Sequence, residues 1–265
     1  MLSGIRLRAP PIGYASLMTI DALNFLEVKK SCAECSLAEI CLPAPVPLAE
    51  RARLDQLVKS RKTLARGEKL FAAGSALKAI YVVRSGALKS FIDDEDGNSQ
   101  ILGFHLAGEV VGFDGLSDDR HRVHTSALDK TSLCEVPIER LMDLTAQIPS
   151  IQRQLLRIAS REIGRDHDHM MIVGRQRAPV RMALFLLDIS QRSQGCEDDG
   201  ADIRLLMSRY DIANYLGLVV ETVSRLFTRF SEAGLISVER RVIRILNRRG
   251  LLKVSHGADE LDLAA

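Results

Sequence analysis

Between residues 150 and 173 the apolar positions recur at the spacing of a helix that pairs with another helix. Leu156, Ala159, Ile163, Asp166, Met170 and Val173 follow one another in alternating steps of three and four, the seam of a coiled coil. Asp166 is its one charged position, and Gly164 weakens the helix without forbidding it. Residues 62–136 have a different texture. Short runs such as Ile80-Tyr-Val-Val83, Ala87-Leu-Lys-Ser-Phe-Ile92 and Ile101-Leu-Gly-Phe-His-Leu106 alternate with glycines at 67, 74, 86, 97, 108, 112 and 115. That pattern predicts an all-β sandwich or barrel, and Asp96-Gly97-Asn98 between two runs predicts a hairpin. Residues 49–60 read as a short amphipathic helix, Pro179 to Ser190 as a helix, and 191–202 as a polar loop.

The remaining pattern lies at the C-terminal end. Ser208-Arg-Tyr-Asp211 before Ile212-Ala-Asn-Tyr-Leu216 is a helix start, with Ser208 as cap and Asp211 at the third position. Gly217 can end that helix in the left-handed conformation. A second helix runs from about Val220 to Ala233, with Val223, Leu226, Phe227 and Phe230 as its apolar face. Two short helices joined through glycine form a helix-turn-helix. Leu235–Val238 and Val242–Ile245 then make the hairpin of a winged helix.

Composition sharpens this picture. The 265 residues are 46% hydrophobic and 26% charged, with a net charge of +2, which excludes a disordered chain. No apolar run reaches the ~20 residues that span a bilayer, and the first seventeen residues lack the apolar core of an export signal. A cytoplasmic, non-membrane product is expected, and Met18 is an alternative start. Between Arg204 and Lys253 there are ten basic residues against four acidic ones, a local +6. Phosphate contacts need such local positive charge. On the second helix Glu221, Ser224 and Arg225 share one solvent face. Arg can bond guanine in pairs, Glu can accept from cytosine, and Ser can serve either.

Five cysteines in a chain without an export signal point to metal or redox chemistry rather than disulfides. Cys32, Cys35 and Cys41 lie within ten residues, beside Pro43, Pro45 and Pro47. Cys134 is the candidate distant fourth ligand, and Cys196, in a polar stretch, is a spare thiol. Thiolates suit zinc and iron–sulfur clusters alike, and the spacing does not choose between them. No nucleophile–base set, phosphate-binding loop or paired-carboxylate signature supports an enzyme. His167 and His169, two apart on the seam helix, read as solvent-facing.

Together these residues resemble the fumarate and nitrate reduction regulator (FNR) family, within the superfamily of the cyclic-AMP receptor protein. The resemblance runs from about Cys32 to Gly250. It rests on the four cysteines, on Gly103-Phe-His-Leu-Ala-Gly-Glu-Val-Val-Gly-Phe-Asp114, and on Asp211-Ile-Ala-Asn-Tyr-Leu-Gly-Leu-Val-Val-Glu-Thr-Val-Ser-Arg225. It implies an α+β protein. Residues 1–31 would be an extension, 32–148 a cysteine loop and double-stranded β-roll sensor, and 149–175 a dimerisation helix. Residues 176–256 would be a winged-helix DNA-binding domain and 257–265 a tail. It implies one oxygen-labile [4Fe–4S] cluster per chain on Cys32, Cys35, Cys41 and Cys134, with Ser36 and Ile40 in its surroundings. It implies a homodimer through Ala159, Ile163, Asp166, Met170 and Val173. That dimer would bind a TTGAT-N4-ATCAA-like palindrome as activator or repressor of low-oxygen metabolism. Glu221, Ser224 and Arg225 fall on the family's base-reading positions, with Val220 and Arg209 as adjoining DNA-binding candidates.

A DNA-binding regulator with a zinc-structured, [2Fe–2S] or thiol redox sensor is the alternative reading. Paired Asp166 carboxylates in a poorly solvated seam would repel, so the dimer would be finely balanced and open to control by the sensor. Phe113 follows Gly112 where cyclic-AMP relatives carry Glu, and His121-Arg-Val-His124 replaces their Arg-Ser pair. No cyclic nucleotide is therefore expected. Val219 stands at the family's capping Thr. RNA polymerase is an expected partner, with Asp96–Asn98 and Asp114–His121 as exposed candidate surfaces.

Overall fold

The computed structural model describes Val58, residues 60–194 and residues 202–258. The chain begins there with β1 (Ser60–Leu64), β2 (Lys69–Phe71), β3 (Ala79–Ser85), β4 (Leu88–Asp93), β5 (Ser99–His105), β6 (Val110–Val111), β7 (His124–Ala127) and β8 (Thr131–Pro137). These form two antiparallel four-stranded sheets, in the orders β1-β8-β3-β6 and β2-β7-β4-β5. The short apolar runs suit this because strand side chains alternate between faces. In β3, Val83 joins Leu64, Leu70, Leu88, Val111 and Leu133 in one core, while Ile80 and Val82 face another. The β4–β5 hairpin turns through Gly97 at φ +81°, and Asp94 Oδ1 accepts the Asn98 amide at 2.7 Å.

Three helices follow: α1 (Ile138–Gln147), α2 (Pro149–Arg175) and α3 (Ala178–Gln194). Leu141 and Leu144 of α1 and Ile151 and Ile158 of α2 cover Ile80, Val82, Val110 and Val136. Pro149 opens α2 at a position where a missing amide costs no helical hydrogen bond. The C-terminal part comprises β9 (Asp202–Arg204), α4 (Arg209–Leu216), α5 (Val220–Glu232), β10 (Ile236–Glu239), β11 (Val242–Ile245) and α6 (Arg248–Ser255). β10, β11 and β9 form a three-stranded sheet in that order. One apolar core joins α3, α4, α5, α6 and this sheet to Phe91, Ile101, Phe104 and Leu106 of the roll.

Several expectations need correction. The helix expected to end at Ser190 continues to Gln194, because Arg192 is fixed by tertiary partners described below. The expected polar loop also gives up Asp202 to β9, where Ile203 is buried opposite Ile243. The sequence pattern does not predict helices α1 and α6; each buries only two side chains, too few to show a period. Ser60, read as helical, starts β1, and the rest of the 49–60 expectation lies outside the described residues, Val58 apart. His169 is not solvent-facing: its ring stacks on Tyr215 at 4.0 Å, whereas His167 is exposed. Within Asp114–His121 only Leu116–Arg120 are exposed; Gly115 and His121 are buried.

Candidate nucleic-acid interface and cysteine site

Helix α4 starts with a complete capping box. Asp211 N–H donates to Ser208 Oγ at 3.1 Å, and Ser208 N–H donates to Asp211 Oδ2 at 2.9 Å. Gly217, at φ +61° and ψ 42°, closes the helix in the left-handed conformation that a side chain would strain. The chain turns directly into α5, whose Val223, Leu226, Phe227 and Phe230 are buried. That burial leaves Glu221, Ser224 and Arg225 exposed together on the opposite face, with Val220 partly buried at the helix start. Ser224 Oγ donates to the Val220 carbonyl at 2.9 Å, so it must rotate before donating to a base. Val219 has the extended backbone of an N-cap but makes no side-chain cap bond, and it is 62% exposed.

Arg209 does not stand in solvent. Its guanidinium lies 3.2 Å from the Phe227 ring centre, and desolvation lowers its pKa to about 10. It braces α4 against α5. In the basic end, Arg244 is tied to Asp202 at 2.6 Å and Arg204 to Asp129 at 3.5 Å. Arg225, Arg240, Arg241, Arg249 and Lys253 remain exposed, and Arg240 and Arg241 form the two-residue tip of the β10–β11 hairpin. The recognition face and the wing tip thus supply the charge and the donors that a duplex requires.

The cysteine set is visible only at its distant member. Cys32, Cys35, Cys41, the flanking Ser36 and Ile40, and Cys196 lie outside the described residues. Cys134 sits in the middle of β8, opposite Arg61 of β1 and Val82 of β3. It is partly buried in the core that includes Val58, Phe113, Ile138 and Leu155. Strand β8 runs straight into α1 and then α2. Along α2, Leu156, Ile163 and Met170 are 65%, 55% and 62% exposed, an apolar stripe interrupted by exposed Asp166. Desolvation raises the Asp166 pKa against the opposing charges of His167 and Arg165. Ala159 and Val173 are partly buried, and Val173 Cγ1 approaches the Gly217 backbone.

Glu109, on the turn between β5 and β6, ties the roll to two helices. It meets Arg192 of α3 through Nε at 2.9 Å and a second nitrogen at 2.8 Å, and Arg165 of α2 at 3.1 Å. The Leu106 amide donates to the same carboxylate, and Arg192 also donates to the Phe104 carbonyl. Burial pushes the Glu109 pKa up, but the two arginines and the amide outweigh it and hold the group ionised. Nearby, Asp114 Oδ2 accepts the backbone amides of Arg122 and Val123, and its Oδ1 lies 3.2 Å from His121 Nδ1. Arg122 pairs with Asp118, and Phe71 stacks on His121 at 3.6 Å.

Comparison with known proteins agrees with this geometry. Residues 61–147 match the cyclic nucleotide-binding domain family, and residues 180–254 match the Crp-like helix-turn-helix domain family. The chain is 44% identical to the transcriptional activator protein Anr of Pseudomonas protegens over 229 residues, covering 86% of this chain and 94% of that one. It is 38% identical to the fumarate and nitrate reduction regulatory protein of Escherichia coli, covering 84% and 90%. The chain belongs to the FNR-type branch of the cyclic-AMP receptor protein superfamily. Among solved structures it is similar to FixK2 of Bradyrhizobium japonicum, with a TM-score of 0.69 and 31% identity over 76% of this chain and 98% of that one. This FNR-type protein is accordingly a DNA-binding transcription regulator and not an enzyme. Among its described residues no helix is long and apolar enough to cross a membrane.

Proposed function

We propose that this FNR-type regulator responds to oxygen and binds its operator as a homodimer. The observation that carries the reading is the position of Cys134. It lies on the strand that leads into the seam helix, and its neighbour β1 follows the segment bearing Cys32, Cys35 and Cys41. Cys134 packs against the apolar core of Ile80, Val82, Val110 and Val136, which would limit water near a thiolate-held group. Four thiols, one of them partly buried on a core strand, fit a [4Fe–4S] cluster. When bound there, such a cluster supplies oxygen-labile chemistry. The names of relatives such as the fumarate and nitrate reduction regulatory protein support the same reading.

The protein's own residues do the rest. Leu156, Ile163 and Met170 offer a seam to a second copy, and Asp166 keeps that seam poor. Two-fold pairing would present two α5 helices to the half-sites of a TTGAT-N4-ATCAA-like palindrome, one helical turn apart. Glu221, Ser224 and Arg225 would read bases there. RNA polymerase would meet exposed loops, with Asp96–Asn98 and Leu116–Arg120 as candidates. Asp114 already occupies two amides of the loop that an anion would need, so the roll takes no cyclic nucleotide in this reading.

Operator binding, followed by fluorescence anisotropy with the palindromic duplex, tests it. The anaerobic protein should bind tightly, the air-exposed protein weakly, and Cys134→Ala weakly in both. Equal affinity of all three would refute the oxygen reading. Asp166→Ala should raise the dimer fraction in air by sedimentation; an unchanged fraction would remove Asp166 from the switch.

A further inference from the structure

Strand β5 is the edge of its sheet, and an edge strand leaves backbone groups to be satisfied from outside. Here one side chain of the DNA-binding part satisfies two of them. Asn214 of α4 accepts the Ile101 amide through Oδ1 at 2.6 Å and donates through Nδ2 to the Ser99 carbonyl at 2.6 Å. Gln100 returns a bond, donating from Nε2 to the Asn214 carbonyl at 3.0 Å. The Asn214 amide therefore pairs with the strand much as a neighbouring peptide group would.

The same helix face makes two further contacts. Asp211, three residues earlier, pairs with Lys89 of β4 at 2.7 Å. That pair is partly buried, with side-chain exposures of 26% for Lys89 and 10% for Asp211. Asp211 divides its oxygens: Oδ1 takes Lys89, and Oδ2 takes the Ser208 amide and hydroxyl of the capping box. Tyr215, one residue after Asn214, stacks on His169 of α2. Positions 211, 214 and 215 are one helix face, and that face meets two strands of the sensor sheet and the seam helix. Helix α5, braced to α4 through Arg209 and Phe227, keeps Glu221, Ser224 and Arg225 exposed on the other side.

We propose that Asn214, supported by the Lys89–Asp211 pair, is a positioning residue for operator binding: it clamps α4 to the edge of the sensor sheet and so sets the angle at which α5 meets DNA. The docked arrangement leaves the reading residues free, so the clamp favours binding and does not block it. A dimer needs both α5 helices at one fixed spacing, and a loosened α4 would lower the population that has it. The proposal rests on the DNA-binding assignment and on the homodimer of the proposed function, not on the iron–sulfur reading.

The test compares full-length anaerobic protein with Asn214→Ala, Lys89→Met and the conservative Lys89→Arg. Hydrogen exchange reads the clamp, anisotropy with the palindromic duplex reads binding, and sedimentation reads the dimer. Asn214→Ala should speed exchange in residues 99–105 and weaken operator binding on the order of tenfold, a usual size for coupling between sites. Its dimer fraction should stay unchanged. Lys89→Met should weaken binding by a smaller factor, and Lys89→Arg should restore it. Unchanged exchange, unchanged affinity, tighter binding, or a loss matched by an equal loss of dimer would each overturn the proposal. If Asn214→Ala fails to fold, the two Lys89 variants decide it. If the unaltered protein does not bind this duplex, the operator assignment fails instead; duplexes selected from a random pool then supply the sequence for the same comparison.

Discussion

Replacing Glu109 by Gln removes a single charge from the point where the roll, the seam helix and α3 meet. The shape is retained and the charge is lost. Arg192 is 11% exposed in its side chain and holds two bonds to Glu109, whereas Arg165 is 33% exposed and can recover water. Removing one partner of a buried ion pair costs about 3–5 kcal/mol. Arg192 keeps Asp188 at 2.8 Å, so the lower end, about 3 kcal/mol, is expected. For a chain of this size that is a fall in Tm of roughly 6–12 °C. Circular dichroism of the metal-free protein at pH 7.5 measures it without interference from cluster loss. The paired change Glu109→Gln with Arg192→Met should recover part of the loss, because no uncompensated buried charge remains. A shift under about 2 °C, or a double variant worse than the sum of the singles, would refute the reasoning.

Three further predictions follow from named side chains. His105 is partly buried, with Nε2 bonded to Ser90 at 2.8 Å and a buried Nδ1 without a partner, and desolvation lowers its pKa to about 4. The unfolded chain takes up a proton near pH 6.5 that the folded state refuses, so stability is full above that value. It should then fall by about 3 kcal/mol as pH drops towards 4. Urea midpoints at pH 7 and pH 5 should converge in His105→Gln; an undiminished difference would contradict the assignment. Val219→Thr should add a cap to α5 and stabilise the protein by about 1 kcal/mol, read as a raised urea midpoint, and no rise would show that the cap geometry is not met. Arg225→Ala should cost about 1–3 kcal/mol of operator affinity and relax preference at one base pair of each half-site; an even loss across all sequences would make Arg225 a phosphate contact.

Much of this was legible in the chain because it depends on local spacing. The three-four alternation from Leu156 to Val173 is written on one helix. The capping box of Ser208 and Asp211 and the left-handed Gly217 need only ten consecutive residues. The glycine-spaced runs mark residues 62–136 as all-β, and the roll itself is implied only by the family resemblance. What escaped depends on partners far away in sequence. Arg192 looked like loop because its partners Glu109 and Phe104 lie more than eighty residues upstream. Strand β9 carries one buried residue, Ile203, and exists because Ile243 pairs with it. Arg209 counted as free positive charge until Phe227 was placed beneath it. Asn214 and Lys89 gave no signal at all, since a polar side chain on an amphipathic helix or strand reads as solvated until the edge it meets is known.

The central claim is that four thiolates make the DNA-binding protein responsive to oxygen. It is tested most directly by purifying the protein without air and counting iron and sulfide while recording its visible spectrum before and after air is admitted. About four irons and four sulfides per chain are expected. A brown colour that bleaches in air and loss of palindrome binding in the same sample are also expected. A colourless protein holding zinc, with one DNA affinity in both conditions, would contradict the claim and leave only the winged helix standing.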